Sequence, residues 1–131
     1  MCKGSDKMKK GFTLIEMLAV IALLGILGAI SYPIVTREIN KSKDNAYKMQ
    51  IKYIENAAKR WGVKNNELLL LDGTSITVDV KTIKKEGFLE NTEIIDPRTN
   101  KVITGCVEIK YDIEYSQHIY KFITKCSNTT Y

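Results

Sequence analysis

One carboxylate, Glu16, stands at the edge of a long apolar run in KKGFTLIEML, residues 9–18, just after two lysines and Gly11. A charged side chain carried to the middle of a bilayer costs about 2.5–3.5 kcal/mol, so this residue needs a partner or a purpose. Other residues able to do chemistry are few: Cys2, Cys106 and Cys126, a single His118, and the carboxylates Glu108, Asp112 and Glu114 on alternate positions. There is no CxxC pair and no His/Cys set with the spacing of a tetrahedral metal site. One histidine without a nearby nucleophile builds no triad, and no glycine-rich phosphate loop occurs. The alternating carboxylates read as the solvated face of a strand. These features speak against an enzyme and require no metal and no cofactor.

The elements that must position these residues follow from patterning. Between Met17 and Val35, 19 residues carry no charged side chain, close to the roughly 20 that a helix needs to cross a bilayer core. Only Ser31, Tyr32 and Pro33 interrupt the run, and Pro33 is expected to bend the helix or break its hydrogen bonding. The first eleven residues hold four lysines against Asp6, a net +3 of the chain's +5. Positive charge before an apolar span holds that end in the cytoplasm, so the bulk of the chain is expected outside. A domain division follows: a basic leader, 1–11; an apolar membrane-spanning helix, 12–35; and a polar domain, 36–131.

Beyond Pro33 the pattern becomes amphipathic. Tyr47, Ile51, Ile54, Ala58 and Trp61 recur at spacings of four and three residues, one face of a helix, with Gly62 as a plausible stop. A continuous helix over 13–61 would be about 73 Å long, more than twice a bilayer core, so its second half must pack on something outside the membrane. Asp72-Gly73 marks a turn, residues 79–86 read as a short helix closed by Gly87, and Asp96-Pro97 with Thr99-Asn100 marks another turn.

The clearest strand is CVEIKYDIEY, where Val107, Ile109, Tyr111, Ile113 and Tyr115 alternate with charged residues. A second strand is expected near 119–126. A three-residue loop at 115–117 would place Ile113 opposite Ile119, Ile109 opposite Ile123 and, on the other face, Cys106 opposite Cys126. In an exported domain those two cysteines can form a disulfide; a slip of one residue would undo the whole pairing.

A basic leader, a glycine, Phe-Thr-Leu-Ile-Glu and an apolar run, KKGFTLIEMLAVIALLGILGAISYPIV over 9–35, together resemble the type IV pilin and pseudopilin superfamily, whose precursors carry a class III signal peptide. The resemblance implies an α+β fold: a long N-terminal α-helix, half in the membrane and half amphipathic, packed on a small antiparallel β-sheet. It implies cleavage between Gly11 and Phe12 by a membrane-embedded prepilin peptidase and N-methylation of Phe12. Glu16 would be the acidic residue of the mature helix, Pro33 the family's helix-bending proline, and Gly25 to Pro33 the stretch that loses helix in assembled fibres. The implied partners are other pilin subunits, the peptidase, an assembly platform with its ATPase, and the membrane. The expected site is the cell membrane before assembly and an extracellular pilus afterwards.

Chemistry agrees with this reading. The amine of Phe12 freed by cleavage and the Glu16 carboxylate each lack a partner in lipid. In a fibre, Glu16 of one subunit would meet the Phe12 amine of its neighbour and set the axial register, because a mismatch buries two unpaired charges. The pair can also close within one chain, four residues apart, and Glu16 also suits the positive end of a helix. Ala22, Gly25, Gly28 and Ala29 would allow close helix approach.

Alternative readings stand beside it. An ordinary signal peptide cleaved after Ser31 would release a soluble binding domain beginning at Tyr32; a plain anchored protein would keep its leader. Within the superfamily, major pilin, minor pilin, competence pseudopilin and secretion pseudopilin share this N-terminus, and adhesion, motility or DNA uptake are the roles in view. Lys81, Lys84 and Lys85, with Lys121 and Lys125, are candidate DNA contacts, although a solvated basic face explains them as well. Asn128-Thr129-Thr130 fits a glycosylation sequon by chance.

Overall fold

The computed structural model describes residues 11–69 and 71–126. It divides into two compact units, one ending at Ile39 and the other beginning at Asn40, and a single helix, α1 (Leu14–Lys64), runs through the boundary. In the first unit every residue from Gly11 to Val35 is exposed. Pro33 lies inside α1 and has no N–H to return to the previous turn. The Ser31 and Thr36 hydroxyls donate back to the carbonyls of Leu27 and Tyr32, at 2.8 and 3.1 Å. These two hydroxyl donors are thereby satisfied within the helix itself.

The second unit is α+β. It continues with a short 3-10 turn (Asn66–Leu68), strand β1 (Ser75–Asp79), helix α2 (Val80–Lys85), strand β2 (Cys106–Asp112) and strand β3 (Gln117–Ile123). The strands form an antiparallel sheet in the order β1-β2-β3. The amphipathic stripe of α1 packs where its period predicts: Ile54, Ala58 and Trp61 are buried with Ala57, and Tyr47 and Ile51 pack against the same cluster. The two alanines share this buried cluster with Val78, Val107 and Ile109 of the sheet. Each fully buried side chain the size of Ile54 contributes about 1.5–3 kcal/mol.

Local signals are also met in α2 and the 96–100 turn. Asp79 caps α2 by accepting from the Lys81 N–H at 3.0 Å. Gly87, at φ +81°, closes it, with the Phe88 N–H reaching the Ile83 carbonyl at 3.1 Å. At the turn the Asn100 N–H meets the Asp96 carbonyl at 2.8 Å.

Four details differ from expectation. First, the hairpin register is Cys106↔Ile123, Val107↔Phe122 and Ile109↔Tyr120, three residues from the expected pairing, an odd shift that exchanges the faces of β3. The turn decides this. Asp112 Oδ1 accepts from the N–H groups of Glu114 and Tyr115, at 2.9 and 3.3 Å, and Ser116 takes φ +50°, so the loop has four residues, 113–116. Ile113 and Tyr115 therefore leave the strand and are each 68% exposed.

Second, β3 spans 117–123 rather than 119–126, and Tyr120 and Phe122 face the core. Third, β1 was not anticipated. Fourth, Gly62 does not stop α1. It is buried beneath Tyr120, whose hydroxyl would lie 2.6 Å from a Cβ added there, so it is a close-approach glycine. Gly105 is another, because a Cβ there would strike the Ile123 carbonyl.

Candidate functional site

At the head of α1, Thr13 and Glu16 cap the helix reciprocally. Glu16 Oε2 accepts from the Thr13 N–H at 2.9 Å and from its hydroxyl at 3.2 Å, while Thr13 Oγ1 accepts from the Glu16 N–H at 3.3 Å. This is the capping box of a Thr-x-x-Glu sequence. It adds a role for Glu16 that the apolar context obscured, though Thr13 three residues before Glu16 was a legible signal. Both contacts use Oε2, and no partner is recorded for Oε1 among the described residues. The carboxylate is thus held at the helix start with one oxygen to offer. Gly11 and Phe12 precede the helix and are exposed; residues 1–10, with the leader lysines and Cys2, lie outside the described residues.

Cys106 and Cys126 are joined by a disulfide, with Cα atoms 5.4 Å apart and a sequence separation of 20. Cys106 sits on β2 opposite Ile123, and the bond reaches past the end of β3 to Cys126 rather than joining directly opposed residues. A closure of this size contributes about 3 kcal/mol by the chain-entropy account.

A second fastening went unread in the sequence. The Arg98 guanidinium lies 3.5 Å over the Tyr47 ring of α1. It donates to both Asp96 oxygens, Nε to Oδ1 at 3.1 Å and Nη2 to Oδ2 at 2.9 Å, and lies 3.9 Å from Asp44. The Asp96 carboxyl is held below the usual carboxylate range, mainly by its hydrogen bond with Arg98. Glu55 of α1 accepts from the Phe122 N–H of β3 at 2.9 Å. Only the folded chain brings these residues together.

The candidate DNA-contacting lysines do not form one set. Lys84 Nζ is spent on the Thr92 carbonyl at 2.7 Å. α2 follows β1, whereas Lys121 lies on β3 at the other edge of the sheet. The 128–130 sequon lies outside the described residues.

Residues 6–32 match the prokaryotic N-terminal methylation motif. Competence protein ComGC of Halalkalibacterium halodurans is 23% identical over 99 residues, covering 76% of this chain and 89% of that protein. Fimbrial protein EcpB of Eikenella corrodens is 29% identical over 106 residues, 76% of this chain and 60% of that protein. In this motif and in these relatives the chain is similar to type IV pilins and pseudopilins. No solved structure matches it. The pilin-like architecture, a long N-terminal helix on a small antiparallel sheet, is what the structure displays. As a pilin-like chain it carries its distinguishing chemistry in the exposed N-terminal segment, and an apolar segment exposed on every side suits membrane anchoring.

Proposed function

We propose that this chain is a structural subunit of a type IV pilus or pilus-like filament, processed between Gly11 and Phe12, N-methylated on Phe12 and polymerised through its N-terminal helix. The observation that carries the reading is the capped Glu16 at the head of a segment in which nothing from Gly11 to Val35 is buried. Such a segment needs lipid or other copies of itself around it. Glycine at position 11 offers a peptidase cleft no side chain. The freed Phe12 amine adds a cation at the positive helix end, where Glu16 Oε1 of a neighbour would receive it. A mis-registered pair leaves both charges unpaired in apolar surroundings. Pro33, with no N–H for the preceding turn, marks where the helix yields on assembly. The prepilin peptidase, the assembly platform and its ATPase act before and during this step. The subunit has no active site of its own.

A competence pseudopilin is the second reading. It is favoured by coverage, since the match spans 89% of the competence protein but 60% of the fimbrial one. Loss of DNA uptake on deletion, without loss of adhesion or motility, would select it.

The test is the intact mass of the mature protein from its native host, with N-terminal fragmentation. A chain starting at Phe12 and heavier by one methyl group is expected. A chain starting at Tyr32 would mean a secreted soluble domain and overturn the assembly reading.

A further inference from the structure

The domain from Asn40 onward has two layers, and their outer surfaces differ in charge. On α1, Lys41, Lys48, Lys52 and Lys59 are all exposed and follow one another at intervals of seven, four and seven residues. At about 100° per residue these positions fall within about 40° of one another, and about 140° round from Ile54 of the buried stripe. They form a ladder about 27 Å long at ~1.5 Å per residue. The two carboxylates on this part of the helix do not neutralise it: Asp44 faces Arg98, and Glu55 holds the Phe122 N–H. None of the four lysines makes an ion pair among the described residues.

The sheet presents the opposite character. Its face away from α1 carries a groove of about 600 Å³ between the 72–73 turn and the end of the hairpin. Ile113 and Ile119 line it, and they are 68% and 46% exposed. Asp72, Glu108, Asp112 and Glu114 rim it, against Lys110 and Lys121. Asp72 and Asp112 are each fixed through Oδ1, Asp72 by Thr74 and Asp112 by the turn amides. Glu108 and Glu114 accept no side-chain hydrogen bond or ion pair among the described residues. The groove is therefore net acidic with an apolar floor, and the same chain's own basic helix face complements it in charge.

We infer that the lysine ladder of one copy docks into the acid-rimmed groove of a second copy, forming a domain-to-domain contact additional to the N-terminal helix. The two patches are different surfaces of one domain. The contact is therefore heterologous and propagates rather than closing on itself as a two-fold dimer would. Complementary charge steers docking and fixes its register, while Ile113 and Ile119 supply the apolar area that is removed from water. This rests on the filament reading above.

The experiment uses mature filaments built from a mixture of isotope-labelled and unlabelled chains, treated with a zero-length carbodiimide that joins amines to carboxylates. Mixed-label cross-links from Lys48 or Lys52 to Glu108 or Glu114 are expected. In parallel, Lys48→Glu with Lys52→Glu should lower filament yield by on the order of tenfold or more, as should Glu108→Lys with Glu114→Lys, because each places like charges face to face. Combining the four changes should restore yield to within about twofold, since attraction returns with reversed sign. Filaments that form normally from the singly reversed chains, or that give only same-label cross-links at these residues, would overturn the contact and leave the filament reading standing. Loss of retention on DNA or on anionic-lipid vesicles, with yield unchanged, would overturn it too and assign the ladder to a polyanion. Wild-type chains that form no filaments and begin at Tyr32 would defeat the filament reading itself.

Discussion

The segment 11–35 and the domain from Asn40 use apolar side chains in opposite ways. In the first, Phe12, Leu14, Leu23, Leu27 and Ile30 are all well exposed, with Leu14 at 88%. In the second, Ile54, Val78, Ile83 and Val107 are wholly buried. Both carry similar residue types. The difference lies in what each can find within one chain: the domain meets its own sheet, disulfide and Arg98 clamp, whereas the apolar segment finds only itself. The domain's buried core is thus complete in a single copy, whereas no residue from Gly11 to Val35 is buried in it.

Changes in one region should therefore leave the other untouched, and four measurements probe that independence. Trp61→Ala should have the largest effect, destabilising the domain by about 3–5 kcal/mol in denaturant titrations of the detergent-solubilised chain. Membrane insertion should persist, and a loss of insertion would show the regions to be coupled. Cys106→Ser comes next, at about 3 kcal/mol under oxidising conditions; an unchanged melting curve would remove the disulfide from the account of domain stability.

Thr13→Val acts on the other side of the comparison. It removes the hydroxyl of the capping box and should cost about 1 kcal/mol at the helix start. This would be read as faster amide exchange at Ile15 and Glu16 in micelles, with the domain's melting temperature unchanged.

The smallest effect is on the acid limb. The folded-state pKa of Asp96 is depressed, first by its hydrogen bond with Arg98. Its contribution to stability is thus fully present above the unfolded value of about 3.9 and fades as pH falls through the lower folded value. Asp96→Asn should flatten the part of the stability profile that lies below about pH 4, and an identical acid limb in the variant would show that the clamp carries none of it.

Part of the candidate site was legible because its signals are local. The leader, glycine and GFTLIE run, the Tyr47-to-Trp61 stripe, the helix ending at Gly87 and the turn after Asp96 each depend on residues a few positions apart. The capping box is equally local, Thr13 and Glu16 lying three residues apart, but the apolar run around Glu16 masks it. The hairpin was legible as two strands, and its register was not. A three-residue and a four-residue loop both fit the composition, and only the Asp112 turn chooses between them. β1 was hidden for a related reason: Ile76, Thr77 and Val78 are all buried, so the two-residue alternation that marks a half-exposed strand is missing.

By itself, the sequence determined which end is basic, which stretch is apolar enough for a membrane, which face of α1 must be covered and where short helices and turns stop. These follow from side-chain type and from periods of a few residues. Only the tertiary structure decided the pairing of β2 with β3, the burial of Gly62 under Tyr120, the reach of Cys106 to Cys126 and the capture of Arg98 between Tyr47 and Asp96. The Cys106–Cys126, Gly62–Tyr120 and Tyr47–Arg98 contacts each join residues at least 20 positions apart, beyond the reach of local patterning, and each closes a loop at an entropic cost. Packing against α1 agrees with the register that the Asp112 turn sets, with Tyr120 and Phe122 turned inward and Ile113 and Ile119 left outside.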